Sequence, residues 1–297
     1  MRLARSGGGA RGSPGLQTRL LGRGDEGGVL EFLDRYPARD VFIASRVLND
    51  GVLRSPGWSP LWGAFSGSGA LRGVLHVGPN VVPAVDDAAT CEALAPAASG
   101  SVATRMLVGE RRSVGHLWKL IGHSYPAARE VRARQYVYSL EPGDLLQPRP
   151  AGRRRGRARL ATPADEERVL HLSAAMYTEE MGENPLARDP AGYRRRVQVL
   201  TARGWTYVYE LGGELQFKMD IGCASRRSAQ VQGVYVPPEL RGRGVGTTAM
   251  SACCELALQR QPALSLYVND FNARAIALYE RLGFHREPYD FQTIILP

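Results

Sequence analysis

From about residue 158 onward the apolar and polar positions fall into short, sharply bounded blocks. Ala158–Ala161 reads as a short strand, after which Thr162-Pro163-Ala164-Asp165 supplies an N-cap, a proline at the first helical position and an acid three residues past the cap. That start predicts a helix, and Leu170, Ala174, Met176 and Tyr177 carry it to about Glu180. Asp189-Pro190 opens another helix through Leu200. Trp205–Leu211 and Glu214–Gly222 read as strands on either side of Gly212-Gly213, a residue pair suited to a tight hairpin. Val231–Val236 is predicted as a strand, Arg241–Gln261 as a long helix and Leu264–Val268 as a buried strand. Asn272–Leu282 then reads as a helix and Phe291–Leu296 as a closing strand.

The first half shows a similar order with weaker signals. Glu31–Leu33 and Val41–Ile43 sit in two predicted helices separated by Pro37. Leu61–Phe65, Gly73–Val77 and Val81–Val85 read as strands with Gly or Pro between them. Asp86–Ala98 reads as a helix, Thr104–Val108 as a strand, Ser113–Ile121 as a helix and Val131–Leu140 as a long strand. Between the halves, Gln147–Arg157 (QPRPAGRRRGR) holds two prolines, two glycines and five arginines without apolar periodicity, which makes it a linker. The expected layout is a disordered tail at 1–15, an N-terminal α/β module at 16–146, the linker at 147–157 and a C-terminal α/β module at 158–297. The matching order of elements suggests a structural duplication without a residue-level repeat.

Composition narrows the class. With 44% apolar and 23% charged residues, 297 residues are enough for two folded modules. No apolar run approaches the ~18–20 residues of a membrane span, and MRLARSGGGARGSPG lacks the apolar stretch of a secretory leader. The expectation is a cytoplasmic protein without a membrane partner. Cys91, Cys223, Cys253 and Cys254 have no metal-ligand spacing and read as small buried hydrophobes, so neither metal nor disulfide is expected. The net charge of +9 is carried almost wholly by arginine, with Lys119 and Lys218 the two lysines, a bias that suits a GC-rich genome. The surplus favours an anionic partner, a phosphorylated cofactor ahead of a nucleic acid. The arginine-rich linker keeps the second open. Nothing in the sequence fixes an oligomeric state.

The passage Val231–Gly246 (VQGVYVPPELRGRGVG) joins a strand to a helix through a turn containing Arg241, Gly242, Arg243, Gly244 and Gly246. A helix start leaves several amide N–H groups unpaired with positive potential around them. Glycines let an anion approach that backbone closely, so the turn suits a pyrophosphate, with the arginines as added donors. No Gly-Lys-Ser/Thr follows, which excludes a Walker-type loop.

Arg241, Gly244 and Gly246 fit an Arg/Gln-x-x-Gly-x-Gly/Ala pattern. Asn272, Ala275, Leu278, Tyr279, Gly283 and Phe284 fit a later Asn-x-x-Ala-x-x-Leu-Tyr-x-x-x-Gly-Phe pattern. On these two motifs about 140 residues of the chain resemble the GNAT superfamily of acetyl-CoA-dependent N-acetyltransferases. The resemblance implies a mixed, splayed central sheet flanked by helices, and acetyl-CoA as co-substrate. It implies that Gly242, Arg243, Gly244, Val245, Gly246 and Thr247, with Arg241, hold the CoA pyrophosphate. It further implies that Val234 and Val236 pair with the pantetheine arm, Asn272 touches that arm, and Tyr279 protonates the departing thiolate.

One departure stands out. Many relatives carry a carboxylate near the start of the strand before the glycine turn, where this chain has Gln230 and Gln232. A base would come through water or from Glu183, Asp220 or Asp290. Glu179, Glu180 and Glu183 cluster where relatives build the acceptor site, and Asp220 with Lys218 reads as a surface ion pair. In the first half, Val108–His116 (VGERRSVGH) is taken as the equivalent of the glycine turn, with Leu117 in place of the last glycine. The N-terminal module is therefore expected to be a degenerate GNAT-like domain. The expected activity is acetyl transfer from acetyl-CoA to a primary amine of a small molecule or amino acid, by direct attack on the thioester. The alternatives are an aminoacyl-tRNA-dependent transferase and a non-catalytic CoA-binding sensor.

Overall fold

The computed structural model describes residues 15–54, 59–148 and 156–297. The expected tail, apart from Gly15, and most of the linker lie outside them. The chain forms two compact units that are not contiguous in sequence. One gathers the chain up to Arg35, Gly51–Ala133 and Phe291–Pro297; the other gathers Tyr36–Asp50 and Arg134–Asp290.

In the first unit, β1 (Gln17–Leu20) leads to α1 (Glu26–Leu33), and the next helix, α2 (Pro37–Asn49), belongs to the second unit. β2 (Leu61–Phe65), β3 (Leu71–His76) and β4 (Asn80–Val85) continue an antiparallel meander from β1, with Gln17 opposite Phe65, Leu61 opposite His76 and Gly73 opposite Val85. α3 (Ala88–Ala98) crosses to β5 (Met106–Glu110), which runs parallel to β4 over Asn80–Met106 and Val81–Leu107. α4 (Arg111–Ile121) follows, and Leu94, Leu107, Val114 and Leu117 pack into the core beneath it. Each such side chain contributes ~1.5–3 kcal/mol when fully buried.

β6 (Glu130–Leu140) contributes Arg134 onward to the second unit. There β7 (Arg157–Leu160), β8 (Thr206–Leu211), β9 (Glu214–Ala224) and β10 (Ala229–Tyr235) form an antiparallel series. Between β7 and β8 lie α5 (Glu166–Met181), α6 (Pro185–Arg188) and α7 (Pro190–Ala202). α8 (Val245–Leu258) crosses to β11 (Leu264–Asn269), which is parallel to β10 at Ala229–Leu264 and Gln230–Ser265. β6 closes this sheet antiparallel to β11, from Leu140 opposite Leu264 to Gln135 opposite Asn269. α9 (Ala273–Arg281) leads to β12 (His285–Ile295), whose end lies antiparallel on β5 in the first unit, Phe291 opposite Glu110. Each unit thus has four antiparallel strands, a parallel fifth and a closing strand from the other half of the sequence.

The two faces of the sheet around β9 have different partners. Phe217, Met219 and Ile221 pack with Met250, Cys253 and Cys254 of α8, while Tyr235 and Val208 pack with Val169 and Leu170 of α5. The predicted helix over 241–261 is shorter, Val245–Leu258, because Gly242 and Gly244 hold φ of +75° and +78°, which no right-handed helix accommodates. The closing strand is longer, starting at His285, and β1 and α6 carry too few apolar positions for the pattern to reveal them.

Sheet position also corrects the assignment within the first unit. Val108–His116 is the β5-to-α4 junction, the counterpart of β11 to α9. The counterpart of the glycine turn is the β4-to-α3 junction at Asp86-Asp87. It has no glycine, and the Asp87 carboxylate accepts the Thr90 amide at 2.7 Å, filling the helix start where an anion would sit.

Candidate active site

The turn between β10 and α8 opens at Pro237, makes a 3-10 turn over Pro238–Leu240 and reaches the helix through the two left-handed glycines. No side chain caps Gly244. The first bond into the helix runs from the Thr248 amide to the Gly244 carbonyl at 3.2 Å, so the amides of Val245, Gly246 and Thr247 precede the helical ladder. Gly246 sits close to β10: a Cβ there would lie 3.3 Å from Val236 Cγ2.

Arg241 braces this turn from behind. Its Nε donates to the Val236 carbonyl at 2.8 Å, and its Nη2 donates to both Glu179 oxygens at 3.0 and 2.9 Å. The Tyr235 hydroxyl donates to the same carboxylate at 3.0 Å. Burial first, then the bond to Glu179, raises the Tyr235 phenol above its ordinary pKa, which keeps it a donor. Arg243 is exposed beside the glycines. Sequence reading put Arg241 among the phosphate donors; the structure ties it to the end of α5, a partner 62 residues away that local pattern cannot show.

The parallel strands β10 and β11 part after two residue pairs. On the other side of β10, Gln232 faces Asp220 and Tyr235 faces Lys218, so one extra residue bulges from the ladder. Gly233 in the bulge holds φ of +61°, and half-buried Val234 follows it. Beneath the bulge lies the Lys218–Asp220 pair, which the sequence placed on the surface. Lys218 is 0% exposed. Its ammonium donates to Asp220 Oδ2 at 2.6 Å and to the Gly233 carbonyl at 3.2 Å, and Thr206 Oγ1 donates to Asp220 Oδ1 at 2.9 Å. The surface reading fails because β9 lies between β8 and β10 and both its faces are covered by helices.

Asn272 and Tyr279 of the later motif lie at the start of α9 and within it. Asn272 caps it, its Oδ1 accepting the Ala275 amide at 3.2 Å. Tyr279 is 8% exposed, its ring 5.6 Å from that of Phe284 and 6.4 Å from that of Tyr138 between centroids. Among the described residues its hydroxyl has no hydrogen-bond partner, and it is not one of the polar atoms sealed from solvent. Burial first, then the nearby Cys254 and Glu180, pushes its phenol well above the ordinary range, so it stays protonated at neutral pH.

The carboxylates suggested as bases are all paired with cations. Glu183 is 3.3 Å from Arg188 on the surface, and Asp220 is held by Lys218. Burial would raise the Asp290 carboxyl, but hydrogen bonds from Arg134 at 2.7 Å and Arg286 at 3.0 Å outweigh it and hold the group low. The cysteines are buried and free, and burial pushes the Cys91 and Cys223 thiols up to about 12. Among the described residues no group of His, Cys, Asp and Glu is placed to hold a metal ion, and no helix is long and apolar enough to cross a membrane.

Residues 189–284, which hold this parted parallel pair and the glycine-led helix start, match the model of the acetyltransferase (GNAT) family. The C-terminal half of the chain therefore carries a GNAT-family domain, and residues 59–162 match a domain of unknown function, DUF4081. Among characterised relatives, a mycothiol acetyltransferase of Salinispora arenicola is 35% identical over 103 residues, 34% of this chain and 28% of that protein. The mycothiol acetyltransferase of Streptomyces griseus is 29% identical over 186 residues, 61% of this chain and 58% of its own length. The chain spans less than two thirds of the length of either relative. A tandem GNAT protein from the clavulanic acid biosynthesis pathway, solved without acetyl-CoA, shares the fold at a TM-score of 0.54 and 15% identity, covering 94% of this chain and 98% of its own.

Proposed function

We propose that the chain is an acetyl-CoA-dependent N-acetyltransferase acting on a primary amine of a small molecule or amino acid. The observation that carries this reading is the run of amides at Val245, Gly246 and Thr247, ahead of the α8 ladder and left uncapped behind two left-handed glycines. Those groups, with Gly242, Arg243 and Gly244, hold the diphosphate of coenzyme A, and Arg241 keeps their turn in shape. Backbone groups of Val234 and Val236 bind the pantetheine arm where β11 has parted from β10, and Asn272 meets it from the start of α9.

The chemistry is acyl transfer. The neutral amine attacks the thioester carbonyl carbon, a C–N bond forms, the C–S bond breaks, and Tyr279 gives its proton to the departing thiolate. The buried Tyr279 phenol enters each cycle protonated, as that role requires. The amine loses its proton to water, because Glu183, Asp220 and Asp290 are each occupied by a cation. The first unit has a carboxylate at the matching helix start, so coenzyme A binding is assigned to the second unit. The relatives' names point to small-molecule acceptors.

The engagement of every suggested carboxylate favours one second reading, a CoA-binding sensor without turnover. Calorimetry with acetyl-CoA followed by thiol release over a panel of amines separates the two. Binding with release supports the transferase, and binding without release supports the sensor. Silence in calorimetry removes both and leaves an aminoacyl-tRNA-dependent transferase.

A further inference from the structure

The Lys218–Asp220 pair is buried where an apolar pair of similar volume is often as stable or more so. What the ammonium does that an apolar side chain cannot is grip the Gly233 carbonyl. Resting on the acyl-transfer reading, we infer that Lys218, with Asp220 as its counter-ion, is a positioning residue that aims the Val234 amide at the thioester carbonyl.

The Gly233 carbonyl and the Val234 N–H belong to one planar trans peptide and point in opposite directions. Holding the carbonyl down toward β9 through Lys218 therefore turns the N–H away from β9, toward the side where β11 has parted from β10. The bulge takes this peptide out of the regular ladder. A charged donor on the carbonyl also polarises the peptide and strengthens its N–H as a donor. The parts fit closely: a Cβ on Gly233 would lie 2.6 Å from Asp220 Oδ2 and 3.0 Å from Lys218 Nζ, so the pair is packed directly under the bulge. Thr206 fixes the other Asp220 oxygen, so the carboxylate and its ammonium are both held. An N–H fixed in advance at the carbonyl stabilises the charge that gathers there as the amine attacks.

The test needs no knowledge of the acceptor. Infrared difference spectra of [1-13C]acetyl-CoA bound to the protein report the polarisation of the thioester carbonyl. The expected result is a shift of that band to lower wavenumber on binding to the wild type. In Lys218→Met/Asp220→Leu, which removes both charges together, acetyl-CoA should still bind while the shift is lost. Lys218→Gln, which keeps a polar partner for Asp220 if the double variant folds poorly, should lose most of it. A full shift in either variant, or no shift in the wild type with acetyl-CoA bound, overturns the inference alone. Failure of the wild type to bind acetyl-CoA at all sinks the acyl-transfer reading first.

Discussion

Tyr279 combines a ring packed against Tyr138 and Phe284 with a hydroxyl that has no partner among the described residues. Removing that hydroxyl takes away no internal bond. Tyr279→Phe should leave the melting temperature close to that of the wild type and acetyl-CoA affinity unchanged, while turnover falls ~10²–10⁴-fold. Equal losses of affinity and turnover, measured by calorimetry and thiol release, would assign the residue to packing. At this scale the motif residues were readable because each is fixed by neighbours in sequence. Asn272 caps its own helix, and the glycines bend their own turn. The roles that escaped depend on distant partners. Local sequence makes Arg241 a phosphate donor and Lys218 a surface charge, whereas the structure binds Arg241 to Glu179 and Lys218 to the Gly233 carbonyl.

The start of α5 shows what an element's sequence can announce. Thr162 and Asp165 exchange backbone and side-chain bonds as the pattern predicts, and Asp165, buried, also receives Arg159 at 2.7 and 2.9 Å. Those bonds, Arg159's foremost, hold the Asp165 carboxyl far below its ordinary range. A depressed carboxyl stabilises the fold in full above its unfolded pKa and loses that contribution progressively as pH falls from there through the folded value. The Asp165 contribution should therefore be complete above pH ~4 and fall steadily as the pH drops further. Asp165→Ala should cost about 2 kcal/mol in urea unfolding, because the cap and the bonds from Arg159 are lost while Arg159 keeps Glu210. A loss within experimental error would show that the cap is dispensable. The start of α8 is less legible, because it is left-handed backbone at Gly242 and Gly244 that separates turn from helix. Gly244→Val should abolish acetyl-CoA binding with the fold retained, because a β-branched residue resists φ of +78°. Unchanged affinity in calorimetry would count against the turn.

For the whole molecule, the repeated order of elements in the two halves was legible, apart from β1, and each unit's sheet follows it up to the closing strand. The exchange of closing strands was not. β6 and β12 are strongly patterned, and nothing in their composition distinguishes β11 from β5 as a partner. The spacing of Arg112 and Gly115 in Val108–His116 imitates the glycine turn one strand–helix pair too late, whereas strand order puts the counterpart at Asp86-Asp87. The corrected alignment gives the two units different chemistry at the same topological point: amides ahead of the ladder in one, a carboxylate cap in the other.

The most direct measurement is a titration of the 15N-labelled full-length chain with acetyl-CoA, following backbone amides by NMR. The account predicts that the signals of Gly242, Gly244, Val245, Gly246 and Thr247 shift first and furthest, while those at Asp87–Thr90 stay where they are. Saturable binding with the Val245–Thr247 amides unmoved would contradict it.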